Sequence, residues 1–400
     1  MNPQSKSHSL NETFHRDKPT VISYAQAACV GWFFFGSGPA INLLRDDLGV
    51  SRTIAATHSV SMATGGVIAG FIAGPFIRRF GRGMLLRTSS FVMALGVLLF
   101  TIGHHLFVTI PGAFLVTGGG ATVVQCTAAF LSQHQKRFAP AAISELHGYA
   151  AALGALAPLT IGFCVSHGYG WRITLQALIV VTIMVEIIRG RSVAVYGVRP
   201  TSASDFQHHD VKGALPTIFW WSCVAMVCTS GTEASIMLWS SDYLHTRAGL
   251  GSGAAAAAVA CVVGGMCVAR LSGALLTKRW SAETLYVSSL VLSLIGFTGF
   301  WLLHSTIGML IALTITGLGV SLHFPFGIER AMKASGGRPD RASSRVAITT
   351  GAAGGAAPFL MGWLADQLGM TIAMSVIPIL LLVAIVVARR HPVRFAHQVN

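Results

Sequence analysis

The chain alternates long apolar stretches with short polar ones, and the apolar stretches are long enough to cross a bilayer. A helix rises ~1.5 Å per residue, so the ~30 Å hydrocarbon layer takes ~20 apolar residues. Twelve runs meet or approach that length, at 21–44, 53–77, 84–103, 106–131, 140–166, 172–188, 214–244, 252–277, 284–303, 306–328, 344–365 and 370–388. The pattern predicts an all-α integral membrane protein with twelve transmembrane helices. It divides the 400 residues into a tail at 1–20, a six-helix bundle over 21–188, a linker at 189–213, a second six-helix bundle over 214–388 and a tail at 389–400.

Composition points the same way. Hydrophobic residues make up 53% and charged residues 10%, against the ~25% charge of ordinary globular chains. Too few charges remain to coat a globule of this size, so lipid is the expected solvent. A net charge of +14 would suit a nucleic-acid partner, but the basic residues fall in short clusters between apolar runs, which fits the positive-inside rule instead. With the N-terminus cytoplasmic, 24 Lys and Arg lie on that side and only Arg45, Arg52, Arg172 and Arg247 on the other. Both termini are therefore expected in the cytoplasm, with the chain in the plasma or inner membrane.

The seven cysteines all lie in apolar runs without a Cys-x-x-Cys pair and read as small buried hydrophobes, not metal ligands. No secretory signal is visible, since the first 20 residues are polar. Neither a Gly-x-x-x-x-Gly-Lys-Ser/Thr loop nor a His-Glu-x-x-His or Gly-x-Ser-x-Gly motif occurs. ATP hydrolysis, catalysis and a cofactor are not expected.

The two halves repeat. Thr117-Gly118-Gly119-Gly120 matches Thr316-Gly317-Leu318-Gly319, and Gly65-Gly66 matches Gly264-Gly265, both at an offset of 199. Gly154, Ala157, Pro158 and Gly162 match Gly354, Ala357, Pro358 and Gly362 at 200. The loop G-P-F-I-R-R-F-G-R-G at Gly74–Gly83 has a weaker echo at Gly273–Ser281. Same-sense repeats of six helices are one known transporter design. Glycine at helical spacing lets helix backbones approach closely in lipid, and Pro158 and Pro358 should kink their helices.

These motifs resemble the major facilitator superfamily from about Tyr24 to Ala388. Its loop between spans two and three reads Gly-x-Leu-Ala-Asp-Arg-x-Gly-Arg-Lys, and this chain keeps Gly74, Arg79, Gly81 and Arg82. It departs at Arg78, where the family has aspartate, and at Gly83, where lysine is usual. The resemblance implies two pseudo-symmetric bundles around a central cavity. It also implies a charge contact at this loop, for which Glu145 or Glu329 is a candidate partner of reversed sign.

Ionisable groups inside a span need a partner or a function. Glu233, well inside the seventh span, is the foremost candidate for substrate binding or proton coupling; the alternative is a structural glutamate bonded to a neighbouring helix. Arg270 in the eighth span lies roughly 15 Å from Glu233 in depth and reads as a snorkelling side chain. Gln125 and His323 hold near-equivalent places in spans four and ten, open between cavity lining and helix-to-helix bonding. Asn42, with Ser37 and Trp32, is a weaker cavity candidate. Trp239 reads as either a substrate platform or an interface anchor, and His58 as interfacial.

The expectation is a secondary transporter that moves a small organic solute by alternating access, coupled to protons through Glu233 or working by facilitated exchange, with metabolite uptake and drug or toxin efflux both open. A lone intramembrane acid hints at a neutral or cationic solute. The alternative class, a polytopic membrane enzyme or sensor, lacks clustered catalytic groups or an output domain. Expected partners are the solute, the bilayer and protons, with no nucleic acid and the chain acting as a monomer.

Overall fold

The computed structural model describes residues 14–191, 193–197, 213–277 and 279–393, without the side chains of residues 271, 273–275 and 340. Much of both expected tails, most of the linker and Lys278 lie outside the described residues.

The described chain forms twelve helical rods. The first six are α1 (Lys18–Leu48), α2 (Arg52–Phe80), α3 (Arg82–Ile102), α4 (Leu106–His134), α5 (Ala139–Gly154, then Leu156–Ser166) and α6 (Arg172–Arg189). The second six are α7 (Thr217–Ala248), α8 (Ser252–Ala258, then Ala260–Leu276), α9 (Ala282–Leu302), α10 (Thr306–Val320, then His323–Lys333), α11 (Pro339–Leu368) and α12 (Met370–Ala373, then Val376–Arg390). Nine are long and apolar enough to cross a bilayer by length and composition. Of the other three, α6 carries Arg172, Glu186 and Arg189 in 18 residues, and α7 and α11 dilute their apolar runs with serine, threonine and charge. Twelve crossings return the chain to the face on which it starts. We call this the termini face and its opposite the far face.

Local chemistry sets the ends of these rods. The Asp17 carboxylate caps α1 by accepting from the Thr20 backbone N–H at 3.2 Å and its hydroxyl at 2.5 Å. A single residue, Gly81 at φ +86°, separates α2 from α3. That backbone conformation suits glycine and makes the arginine-rich turn as short as the sequence predicts. Three of the four breaks within rods lie about one turn ahead of Pro158, Pro325 and Pro378. Each of these prolines offers no N–H to the carbonyl four residues back. The break in α8 at Val259 has no proline to explain it. By contrast, α11 runs unbroken through Pro358, so only the first of the two expected kinks is a break in the helix.

The internal repeat is visible in the packing. A methyl group on Gly65 would stand 2.3 Å from the Phe114 carbonyl oxygen, and one on Gly265 would stand 2.2 Å from that of Thr314. The same holds at Gly119 against the Ser89 oxygen and Gly319 against that of Ser289, both at 2.6 Å. Equivalent helix pairs in the two bundles therefore touch backbone to backbone, which is how helices associate in lipid without a hydrophobic drive between them.

Three seams join the bundles. Asn42 of α1 donates to the Leu238 carbonyl and the Ser241 hydroxyl of α7 at 2.6 and 2.8 Å. Asp366 of α11 accepts from the Arg52 and Thr53 backbone N–H groups of α2 at 3.1 and 2.8 Å. Between α5 and α8, a methyl on Gly162 would stand 2.5 Å from the Gly253 oxygen. All of these contacts lie toward the far face. Among the described residues, no hydrogen bond or ion pair joins the bundles near the termini face. The described polar bonds between the bundles are thus confined to the far half.

Candidate functional site

Glu233 sits at the middle of α7, half-buried. Arg270, six residues before the end of α8, is exposed, and so is His147 on α5. The charge of Arg270 acts on both the Glu233 carboxyl and the His147 ring.

Glu233 differs from the other acids in its bonding. Nine other acidic side chains are described, and every one has an ion pair or a hydrogen bond. Glu186, for example, is buried among Gln26 at 3.0 Å, Arg189 at 3.1 Å and Arg87 at 3.6 Å. On the termini side of the second bundle, the fully buried Arg330 bonds Glu283 and the His391 carbonyl. Among the described residues Glu233 has neither kind of partner, and it has no direct ion pair with Arg270. Glu233 is thus an unmatched carboxyl at the middle of a membrane-spanning helix.

The far side of the gap is closed by charge. Asp242 of α7, 1% exposed, binds Arg45 of α1 at 2.8 Å and Arg52 of α2 at 2.6 Å. Beside it lies a cavity of about 20 Å³ lined by Asn42, Ser241, Asp242 and His245. Sequence reasoning counted Arg45 and Arg52 only as stray outside charges and passed over Asp242. The available signal was an acid at the far end of a span, facing two of the four basic residues on that side.

The other predicted residues divide. Gln125 is exposed on α4 with no described hydrogen bond. His323 is not in the gap: it is 1% exposed and bonded to the Ser293 hydroxyl of α9 at 3.1 Å. Asn42 belongs to the far seam, and Trp32 and Ser37 donate to the Thr174 and Phe34 carbonyls. Trp239 is fully buried and its indole N–H donates to the Pro358 carbonyl at 3.0 Å, so it ties α7 to α11 and offers no platform. His58 is also buried, bonded to the Thr109 hydroxyl at 2.9 Å, instead of lying at the interface.

The arginine loop carries its residues at the termini face. Gly74, Arg78 and Arg79 lie in the last two turns of α2, and Arg82 opens α3. Arg82 donates to Gln133 at 2.8 Å, Arg79 lies over the Phe80 ring at 5.2 Å, and Arg78 is exposed. Its two candidate partners are engaged elsewhere: Glu145 holds Arg16 at 2.5 Å and Glu329 holds Lys333 at 2.7 Å. The departure at Gly83 has a steric cause. A methyl there would stand 2.0 Å from the Val193 carbonyl oxygen, because the turn Val193–Tyr196 packs against the start of α3.

Comparison with known proteins agrees with this architecture. The family model described as Major Facilitator Superfamily matches residues 24–338. A search of curated proteins finds no match. Among solved structures, the fold is similar to the E. coli fucose:proton symporter FucP, at 16% identity and TM-score 0.61, covering 94% of this chain and 99% of that one. It is similar to a bacterial homologue of the human lysosomal transporter Spinster in an inward-facing, occupied state, at 12% identity and TM-score 0.71 over 94% and 96% of the two chains. It is also similar to the nucleoside transporter NupG, at 10% identity and TM-score 0.71 over 93% and 98%. With the family match spanning well over half of its residues, this chain belongs to the major facilitator superfamily and is a multi-pass membrane transporter, not an enzyme.

Proposed function

We propose that this transporter moves a small organic solute by alternating access, driven by protons that bind Glu233. The observation that carries this reading is the unengaged Glu233 carboxyl in the middle of a central helix. An unpartnered carboxylate is costly inside the bilayer, and taking up a proton removes that cost. A group that gains its proton on one side and loses it on the other couples two fluxes. The fold is also used by a fucose:proton symporter, so proton coupling is within its range.

The 24-to-4 distribution of Lys and Arg favours both termini in the cytoplasm, with the chain in the plasma or inner membrane. On that orientation the seam held by Asn42 and Asp242 lies on the outer side. Residues 21–188 and 214–388 are the two rocking units, 189–213 links them, and the chain works as a monomer. A solute panel on right-side-out and inside-out vesicles, with and without a pH gradient, tests the proposal. Accumulation of at least one solute that requires the gradient is expected. Transport indifferent to the gradient in both orientations would remove the proton from the account.

A further inference from the structure

We propose that the far face opens at one seam only: α5 parts from α8, while Asp366 keeps α11 on the start of α2 and makes that contact the pivot. Asp366 is then a positioning residue of the transport cycle. This rests on the alternating-access reading and is independent of the proton role of Glu233.

The two seams are copies of each other. Thr53 and Asp366 meet across α2 and α11, and the residues 200 places from each, Gly253 and Ser166, meet across α8 and α5. Their chemistry differs. Asp366 accepts from the Arg52 N–H at 3.1 Å, the Thr53 N–H at 2.8 Å and the Thr53 hydroxyl at 2.6 Å. It therefore caps α2 from the opposite bundle, beside the cap that Ser51 supplies from within. The start of a helix offers unpaired N–H groups and the positive end of its dipole, and both suit a carboxylate. At the other seam, a methyl on Gly253 would press on the Ser166 hydroxyl and stand 2.7 Å from the Gly162 carbonyl oxygen. That is close packing without bonding: among the described residues no hydrogen bond or ion pair joins α5 to α8.

Packing along the rods widens the contrast. From Asp366 the α2–α11 contact continues through Gly362, Gly355 and Gly351. Methyl groups there would stand 2.9 Å from the Arg52 carbonyl oxygen, 3.0 Å from the Val60 Cα and 2.7 Å from the Val67 side chain. Gly351 to Asp366 is ~22 Å of helix, and both α2 and α11 run through it unbroken. By contrast, α5 breaks at Ala155 and α8 at Val259, which leaves short far segments, Leu156–Ser166 and Ser252–Ala258. Beyond those breaks, nothing lies within 4 Å of the Cβ position on Gly148 of α5 or Gly264 of α8. Helices bend where the hydrogen-bond ladder is interrupted. The break at Val259, which no proline explains, falls where the far end of α8 has to swing.

Unequal holding decides which seam yields. Hydrogen bonds to an ionised acceptor are roughly twice as strong as neutral ones. Three of them must break before α11 leaves α2, whereas α5 and α8 part by losing packing alone. The α1–α7 contacts at Asn42 and Arg45 release in either case. One-sided opening puts the far entrance for the solute between α5 and α8.

The test is distance measurement between paired spin labels on the full-length protein in bilayers, in wild type and in Asp242→Asn, which loosens the far face. One pair replaces Ile54 and Gln367, across α2 and α11. The other replaces Ala254 and His167, the equivalent places across α8 and α5. All four residues are exposed. In Asp242→Asn the α5–α8 pair is expected to gain a population longer by several ångströms, while the α2–α11 pair keeps its wild-type distance. Adding Asp366→Ala should let the α2–α11 pair lengthen as well. The pivot is overturned if the α2–α11 pair lengthens as much as the other with Asp366 intact, or if Asp366→Ala leaves its distance unchanged. If neither pair moves in Asp242→Asn, the rocking of the bundles fails along with the pivot.

Discussion

Asn42 and Ser241 lie 199 residues apart in the chain and 2.8 Å apart across the seam between the two bundles. Since 199 is also the offset of the internal repeat, the pair occupies equivalent places in the two halves and lies close to the axis that relates them. A covalent link there should lock the far face shut. With the native cysteines replaced, Asn42→Cys with Ser241→Cys is expected to lose transport on oxidation and regain it with dithiothreitol. Undiminished transport by the oxidised protein would mean that this seam does not open.

Glycine packing gives a second, sharper contrast. Alanine at Gly65 or Gly265 places its methyl within 2.3 Å of a neighbouring carbonyl oxygen, whereas nothing lies within 4 Å of the corresponding position on Gly66 or Gly264. Gly65→Ala and Gly265→Ala should each cost about 1–3 kcal/mol. Gly66→Ala and Gly264→Ala should be neutral or slightly stabilising, since alanine is the better helix former. Melting temperatures of the four purified variants decide the matter.

The termini face supplies a pH dependence. Burial opposes ionisation of Asp17, but hydrogen bonds from Thr20 and His134 outweigh it and hold the carboxyl below its usual range. A depressed folded value means that the contribution is present above the unfolded value of about 3.9 and fades as pH falls through the folded one. Asp17→Asn should lower stability by at most about 1 kcal/mol at neutral pH, because the side chain is 41% exposed and partly screened. The difference from wild type should shrink below about pH 4. A difference that grows on acidification would contradict the cap.

Gly83 tests the start of the linker. Lysine there, the residue usual in the family, meets the Val193 carbonyl and should displace the Val193–Tyr196 turn from α3. Gly83→Lys is expected to raise tryptic cleavage after Arg191 several-fold, with little change elsewhere. An unchanged digestion pattern would show that the turn can shift without coming loose.

How much of this was readable beforehand follows from the range of each interaction. The rods were legible because hydrocarbon thickness sets a length that apolar runs declare locally. The repeat was legible because close-packed helices need glycine, and glycine is seldom hidden in a pattern. The gate was not, because Asp242 meets partners 190 and 197 residues earlier in the chain, and no local pattern signals such a meeting. His323 and Gln125 hold matching places in the repeat, yet one is buried against Ser293 and the other exposed. Approximate symmetry of backbone does not carry over to side chains. Glu233 stood out as an intramembrane acid, but its lack of a partner became visible only once every other described acid was seen to have one.

The central claim is that the bundles rock about the gap that holds Glu233, and Asp242 gives direct control over that motion. Asp242→Asn leaves Arg45 and Arg52 without their buried partner, which should cost the far-closed state about 3 kcal/mol. Spin labels at Val50 and Leu250 report the far face, and labels at Phe80 and Trp280 report the termini face. Measured in bilayers, Asp242→Asn should lengthen the first distance and shorten the second in the same fraction of molecules. If both distances lengthen together, or neither moves, the two bundles do not exchange access as described.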